Sequence, residues 1–164
     1  MEKISGSAGR GGAQGKTAIQ EVPAEAMVRV QALKEAIETN PDDVKSMVQL
    51  ANLYFDVSKF AQAIQYYKRA LMIEQTNTNV LIDLGVAYFN TGKGDSALTF
   101  MNKALEIAPD HKQGLYNIGI VYYNLDKFDK AVNYWQILIR KYPQSREAQN
   151  AQSFIEQIKK QMNR

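Results

Sequence analysis

One spacing dominates this sequence of 164 residues: residues of the same kind recur every 34 positions. A short motif appears three times, as Leu50-Ala51-x-x-Tyr54, Leu84-Gly85-x-x-Tyr88 and Ile118-Gly119-x-x-Tyr122. The same offset relates four more sets: Ala63, Ala97 and Ala131; Tyr67, Met101 and Trp135; Ala70, Ala104 and Leu138; and Lys59, Lys93 and Lys127. A chain with this period folds as a stack of equivalent units that bury their apolar faces against one another.

Each unit is predicted to form a pair of helices. Its apolar residues follow helical spacing twice, and a polar break near residues 57–59, 91–95 and 125–127 separates the two stretches. The small residues of the motif stand where two helices approach closely, and the large ones fill the space beside them. The spacing therefore predicts a helix, a short turn and a second, antiparallel helix in every unit.

The repeated residues resemble the tetratricopeptide repeat, whose signature is Trp-x2-Leu-Gly-x2-Tyr, then Ala-x3-Phe, then Pro within one unit. The resemblance covers residues 44–145 as three full repeats. The departures are local: Met47, Leu81 and Leu115 replace the tryptophan, Ala51 one glycine and Gln75 one proline, and Gly94 stands where the other repeats have Phe60 and Phe128. This last departure predicts a looser turn in the middle repeat. The resemblance implies an all-α fold, a right-handed superhelical solenoid of antiparallel helix pairs.

The same frame gives the expected domain boundaries. Residues 23–162 are predicted to form the repeat domain: a leading helix at 23–39, repeats at 44–77, 78–111 and 112–145, and a capping helix at 146–162. This amounts to about eight helices and no strands. Residues 1–22 hold half of the ten glycines and lack hydrophobic periodicity. Because such a segment buries too little apolar surface to offset its ordering entropy, it is predicted to be a flexible tail or linker.

The sequence offers little for catalysis. Residues 9–17, GRGGAQGKT, end like a phosphate-binding P-loop, but the position of the motif's first glycine is Arg10, and the polar stretch before it is no buried strand. Cysteine is absent. His111 is the only histidine and is expected to be a solvated turn residue. We therefore predict no catalytic residue, no metal site and no cofactor, and the chain is not expected to be an enzyme.

The resemblance also implies a function, because the first helices of such repeats line a concave groove that binds a peptide or a partner surface. Counting in steps of one repeat places side chains in columns along this groove. The more apolar columns are Val48, Ile82, Tyr116; Phe55, Phe89, Tyr123; and Asn52, Val86, Ile120. The polar columns are Gln49, Asp83, Asn117; Asp56, Asn90, Asn124; and Lys45, Asn79, Gln113.

From these columns we predict a partner-binding groove that contains Val48, Asn52, Phe55, Asp56, Ile82, Asp83, Phe89, Asn90, Tyr116, Asn117, Tyr123 and Asn124. The asparagines offer donors and acceptors to the main chain of a ligand, and the apolar columns accept its side chains. The alternative interpretation is that the aromatic residues pack in the core and the asparagines are ordinary surface.

The best-defined specificity of the family is a cationic clamp that binds the carboxylates of chaperone C-termini. Only Asn52 matches this clamp, whose other positions hold Val48, Asp83, Gln113 and Asn117. A clamp without cations does not favour a terminal carboxylate, so we predict that chaperone-tail binding is absent. The groove charges of Lys45, Asp56 and Asp83 are net negative, and the chain lacks a dense basic stripe, which argues against nucleic acid as the partner.

Two other interpretations stay open at this point. In a self-assembling scaffold, the leading helix or residues 1–22 would dock into a groove of a neighbour or of the same chain, since the apolar face of that helix has no partner. The repeat style is also similar to soluble domains of membrane-anchored bacterial envelope and cytochrome c maturation factors. No apolar run approaches the roughly 18–20 residues that span a bilayer. We expect a soluble chain, and its residues do not distinguish cytoplasm from periplasm.

Overall fold

A computed structural model describes residues 24–162, and within this range the chain is all helical, without a strand. The helices are α1 (Ala24–Thr39), α2 (Val44–Asp56), α3 (Phe60–Ile73), α4 (Thr78–Asn90), α5 (Gly94–Ile107), α6 (Lys112–Asn124), α7 (Phe128–Lys141) and α8 (Arg146–Met162). The predicted all-α solenoid of helix pairs is confirmed. The predicted tail at residues 1–22 lies outside the described residues.

Each helix packs against the next one along the chain, and the tightest partners are α2 with α3, α4 with α5 and α6 with α7. On one face of the stack the first helices also meet, because α4 lies against α6 and α6 against α8. Two groups of buried residues form the core. They are joined by four partly buried side chains that pack against both groups: Phe55, Leu71, Tyr88 and Phe100. The stacked repeats therefore share one continuous core, as expected for a solenoid.

Four helices begin at a side-chain cap, and the caps follow the period of the repeat. Asp43, Asn77, His111 and Ser145 each accept a hydrogen bond from the backbone N–H three residues later, at 3.0, 3.2, 3.1 and 3.1 Å. These bonds satisfy one of the donors that a helix N-terminus leaves without a partner. Hydrogen bonds from the side chain and the backbone of Ser46 also lower the pKa of Asp43. The caps fix where α2, α4, α6 and α8 start.

The turn inside each repeat has one backbone geometry. Ser58, Gly92 and Asp126 occupy the same repeat position, and all three have positive φ, at 59°, 79° and 56°. In each turn the backbone N–H of the following lysine donates to the carbonyl of the motif tyrosine, at 2.8, 3.0 and 2.9 Å. The middle turn is closed like the other two, so the looser turn predicted from Gly94 is wrong. The side chain of Leu125, from the next repeat, fills the space beside Gly94.

Candidate functional site

A cavity of about 590 Å³ opens between α2 and α4, and we call it the α2–α4 cavity. Its apolar part consists of Val44, Val48, Val80 and Ile82. Its polar part consists of Lys45, Gln49, Asn52, Glu74, Asn77, Asn79, Asp83, His111 and Gln113. A concave site with an apolar lining and a few placed polar groups is the usual form of a ligand site, and this volume is within the ordinary range of such sites.

Two asparagines of the cavity have fixed amide orientations. The Tyr67 hydroxyl donates to Asn52 Oδ1 at 2.6 Å. His111 Nε2 lies 2.9 Å from Asn79 Oδ1, and since His111 Nδ1 accepts from the Gly114 N–H, Nε2 is the nitrogen that carries the proton and donates. With both amide oxygens engaged, Asn52 and Asn79 present their amide nitrogens as hydrogen-bond donors.

A carboxylate is held at the same cavity by the cap of α4. Asn77 accepts from the Val80 N–H through Oδ1 at 3.2 Å and donates from Nδ2 to Glu74 Oε2 at 2.8 Å. Asn77 thus bonds both to the first turn of α4 and to the Glu74 carboxylate, which holds the Glu74 side chain beside the N-terminus of α4. Glu74 therefore has a defined place on the cavity wall, although it lies in an exposed connection.

Four of the twelve residues predicted for the groove line the α2–α4 cavity: Val48, Asn52, Ile82 and Asp83. They come from the first helices of the first two repeats, and the structure brings them together across the gap between α2 and α4. Ile82 is almost fully buried, so it contributes to the core as well as to the cavity.

Four other predicted residues lie on the same two helices but outside the cavity. Phe55 is half-buried and meets Phe60 edge-on, with ring centroids 5.2 Å apart. Phe89 is half-buried and packs against the core. Asn90 donates to the Val86 carbonyl at 2.9 Å, and Asp56 is exposed at the end of α2.

The predicted residues of the third repeat lie beneath or beside α8. Phe154 of α8 covers Tyr123, with ring centroids 5.8 Å apart. Asn124 is buried and donates to the Ile120 carbonyl at 2.9 Å. Asn117 is only 1% exposed. Burial raises the pKa of Tyr116, and an interaction with the Asn150 side chain of α8 opposes this shift. The third repeat therefore offers a ligand much less open surface than the first two.

Five residues of the cavity were absent from the predicted groove columns: Val44, Glu74, Asn77, Val80 and His111. The expectation that His111 is a solvated turn residue is wrong, because it is the half-buried N-cap of α6 and its ring contacts Asn79. A signal for two of them was present in the sequence, since Asn77 and His111 share the repeat phase of Asp43 and Ser145. Residues of this kind just before an apolar helix mark its cap.

A second cavity, of about 550 Å³, lies between α1 and α2, and we call it the α1 cavity. It is lined by Ala26, Met27, Val30, Gln31, Lys34, Leu53, Tyr54, Val57 and Lys59. Met27 and Val28 of α1 are 61% and 70% exposed. The leading helix thus keeps part of its apolar surface exposed among the described residues.

The described part of the chain holds no group of three or more histidine, aspartate and glutamate side chains placed to bind a metal ion. Between Ala24 and Met162, no helix combines the length and the apolar character that crossing a membrane requires.

Comparison with solved structures relates this fold to other helical repeats. A crystal structure of MamA has a TM-score of 0.72 at 22% identity, over 79% of this chain and 76% of that chain. MamA from Desulfovibrio magneticus RS-1 has a TM-score of 0.69 at 11% identity, over 74% of this chain and 69% of that chain. The first TPR of Spaghetti (RPAP3), solved with the HSP90 peptide SRMEEVD, has a TM-score of 0.65 at 22% identity, over 70% of this chain and 91% of that chain.

Similarity at these identities establishes the fold. The sequence has no significant match among curated proteins. Models of tetratricopeptide repeat families match residues 54–114 and 113–145, and a model of YpiA-like tetratricopeptide repeats matches residues 17–75. Together with the repeated motif and the stacked helix pairs, these matches show that the chain belongs to the tetratricopeptide repeat proteins.

Proposed function

We propose that this chain is a non-enzymatic interaction module that holds a peptide or an extended segment of a partner protein in the α2–α4 cavity. The observation that carries this proposal is the cavity itself, which combines four aliphatic side chains with a wall of amides and charged groups. The aliphatic part suits the side chains of a ligand, and the amide nitrogens of Asn52 and Asn79 suit its main-chain carbonyls.

A related fold supports peptide binding. The first TPR of Spaghetti, which this chain resembles in structure, was solved with a peptide bound. That peptide, SRMEEVD, is rich in carboxylates. Here the positions of the family's cationic clamp hold Val48, Asp83, Gln113 and Asn117, and Asn117 is buried with its Oδ1 accepting from Gln113 at 3.4 Å. We therefore propose that the ligand of this chain is not an acidic chaperone tail.

The test is selection from a random peptide library displayed on phage, with the wild-type chain and two variants as baits. Gln49→Trp places a large ring at the cavity from an exposed helix position. Gln62→Trp makes the same change on α3, at an exposed position that does not line the cavity, and serves as the matched control. We expect the wild type and Gln62→Trp to enrich the same peptides and Gln49→Trp to lose them. Equal enrichment by all three baits, or none by the wild type, contradicts binding in this cavity.

A second candidate function is self-assembly, and the open apolar surface of α1 favours it. Exposed apolar side chains beside a cavity are typical of an interaction surface. Sedimentation velocity over a range of concentrations tests this. If copies associate through α1, a Met27→Lys, Val28→Lys variant should stay monomeric where the wild type associates. Met72→Lys changes another exposed methionine, on α3, and should behave as the wild type. A wild type that sediments as a monomer at every concentration eliminates this candidate.

A further inference from the structure

We propose that the α1 cavity binds a free amphiphile, namely an alkyl chain that ends in a carboxylate. This site is separate from the α2–α4 cavity, so the inference goes beyond the proposed peptide binding and does not depend on it. It follows from the small side chains of α1 at the cavity, from the accessibility of the apolar lining, and from two lysines that come from different segments.

Small side chains of α1 line this cavity. One repeat further along the chain, the phases of Ala26 and Val30 hold Phe60 and Ile64 on α3. The shorter side chains of α1 fill less of the space beside α2. The cavity that remains has a volume of about 550 Å³, which is within the ordinary range of small-molecule sites.

The apolar lining of this cavity is accessible to a ligand. It consists of Ala26, Met27, Val30, Leu53, Tyr54 and Val57. All six residues are half-buried or exposed, and Met27 is 61% exposed. The Tyr54 ring is held by stacking on Tyr66, with ring centroids 5.8 Å apart. A bound alkyl chain therefore removes apolar surface from water, and each buried methylene tightens binding about fourfold.

Two lysines supply the charged part of the site. Lys34 comes from α1 and Lys59 from the turn between α2 and α3, and both line the cavity. Lys34 is half-buried, so its aliphatic stem contributes to the wall while its ammonium group stays near water. Among the described residues, neither lysine has an ion-pair partner. Both ammonium groups are therefore available to a ligand carboxylate.

The nearby carboxylates do not belong to the lining. Glu25, Glu38 and Asp56 are exposed, so water weakens the action of their charges on the cavity. Glu35 is also exposed, and it accepts a hydrogen bond from the side chain of Gln31 at 2.9 Å. Gln31 itself lines the cavity and is uncharged. The charged groups that contact a ligand in this cavity are thus both positive.

An alkyl carboxylate matches both parts of this lining. Its chain contacts the apolar side chains, and its head group accepts hydrogen bonds from Lys34 and Lys59. A peptide segment matches less well, because its backbone N–H groups need acceptors and the charged groups of the lining are donors only. An alkyl chain has no such groups to satisfy.

The experiment is isothermal titration calorimetry of the full chain with octanoate, decanoate and dodecanoate, each below its critical micelle concentration. We expect the affinity to rise about fourfold for each added methylene until the cavity is filled. Decanol and decyltrimethylammonium test the head group at constant chain length. Decanoate should bind roughly fivefold more tightly than decanol, and the cationic amphiphile should bind least.

Variants locate the site. Ala26→Phe fills the cavity with the residue that α3 has at the same phase, and it should abolish decanoate binding while circular dichroism shows an unchanged helix content. Ala61→Phe adds the same ring at an exposed position of α3 outside the lining, and it should bind decanoate as the wild type does. Lys34→Met and Lys59→Met remove one charge each, and each should weaken decanoate binding about two- to fivefold and leave decanol binding unchanged.

Several results would overturn the inference. An affinity that is independent of chain length, or that Ala26→Phe leaves unchanged, means that the alkyl chain does not lie in the α1 cavity. Equal affinities for decanoate and decanol mean that the lysines do not select the head group. If the wild type binds no amphiphile, the inference is wrong, and association of copies that Ala26→Phe prevents would assign the cavity to a second copy of the chain. None of these results bears on peptide binding in the α2–α4 cavity, which the phage selection tests.

Discussion

The indole of Trp135 lies directly against the backbone of Gly119, and a Cβ at that glycine would overlap the indole ring. Trp135 is fully buried, and its Nε1 donates to the Tyr116 carbonyl at 3.1 Å. The ring is therefore held in place and has no room to move aside. In the first repeat the same two positions hold Ala51 and Tyr67, and in the second they hold Gly85 and Met101. The small residue and the large residue of each repeat are matched to one another.

This match predicts that Gly119→Ala destabilises the protein by about 1–3 kcal/mol, the usual cost of overpacking a core, despite the better helix propensity of alanine. Gly85→Ala should cost less, because the nearest side-chain atoms there belong to Met101, which is flexible. Urea denaturation of both variants measures the difference. In a Trp135→Tyr background, which restores the pairing of the first repeat, Gly119→Ala should cost less than in the wild type. Equal costs in the two backgrounds would show that Trp135 does not set the requirement for glycine.

The turns offer a second prediction. Ser58 and Asp126 adopt positive φ without being glycine, a conformation that costs a non-glycine residue about 1–2 kcal/mol. Ser58→Gly and Asp126→Gly should therefore each stabilise the protein, by about 0.5–1 kcal/mol once the greater freedom of glycine in the unfolded chain is counted. Gly92→Ala should destabilise the protein, because alanine disfavours the positive φ of this position. Steric overlap is not the cause, since no atom lies within 4 Å of the added Cβ. Thermal denaturation of the three variants checks the signs, and stabilisation by Gly92→Ala would contradict the backbone argument.

The hydrogen bond between Tyr67 and Asn52 gives a third prediction. Tyr67→Phe removes the donor to Asn52 Oδ1 at 2.6 Å and should cost about 1 kcal/mol of stability. Tyr134→Phe is the matched control, because the Tyr134 hydroxyl lies 3.4 Å from Asn102 Oδ1 and its bond is weaker. Urea denaturation should show the larger loss for Tyr67→Phe. A larger loss for Tyr134→Phe would mean that the Asn52 bond adds little, and the argument for its fixed amide would weaken.

The fold could be predicted from the sequence because its main determinant, the repeat period, is visible in the residues of every unit. The small and large residues of the motif give both the pairing of helices and the stacking of pairs. The site was less accessible. Repeat phase predicts that Val48, Asn52 and Asp83 share one face, and these residues line the α2–α4 cavity. Phase alone, however, treats all three repeats as equivalent. The structure breaks that equivalence, because Phe154 of α8 covers Tyr123 in the third repeat.

Repeat phase did not predict the cavity residues that lie outside the helices. Glu74 and His111 lie in the connections between repeats, and their positions follow from helix caps. The caps share the period of the repeat, so their existence could be predicted from Asp43, Asn77 and Ser145. Whether Glu74 and His111 line the α2–α4 cavity depends on the distance between α2 and α4. That distance follows from the packing of whole helices and could not be predicted from the repeat phase.

The last prediction concerns His111, the only histidine of the chain. Its Nδ1 accepts a hydrogen bond and its Nε2 donates one. Burial lowers its pKa below the usual 6.5, although a hydrogen bond to its own backbone and the charge of Asp110 oppose this. Protonation would also remove the acceptor at Nδ1 that caps α6. Between the folded pKa and 6.5 the unfolded chain binds more protons, so stability should rise with pH across this window and fall as the pH decreases below about 6.5.

The measurement is an NMR titration of the single imidazole, together with urea denaturation at pH values between 5 and 7. His111→Asn keeps a capping side chain, as at Asn77, and removes the titrating group. Its stability should therefore vary less with pH in that range than the stability of the wild type. A folded pKa at or above 6.5 would show that neither burial nor the bond from the Gly114 N–H to Nδ1 holds the His111 ring neutral.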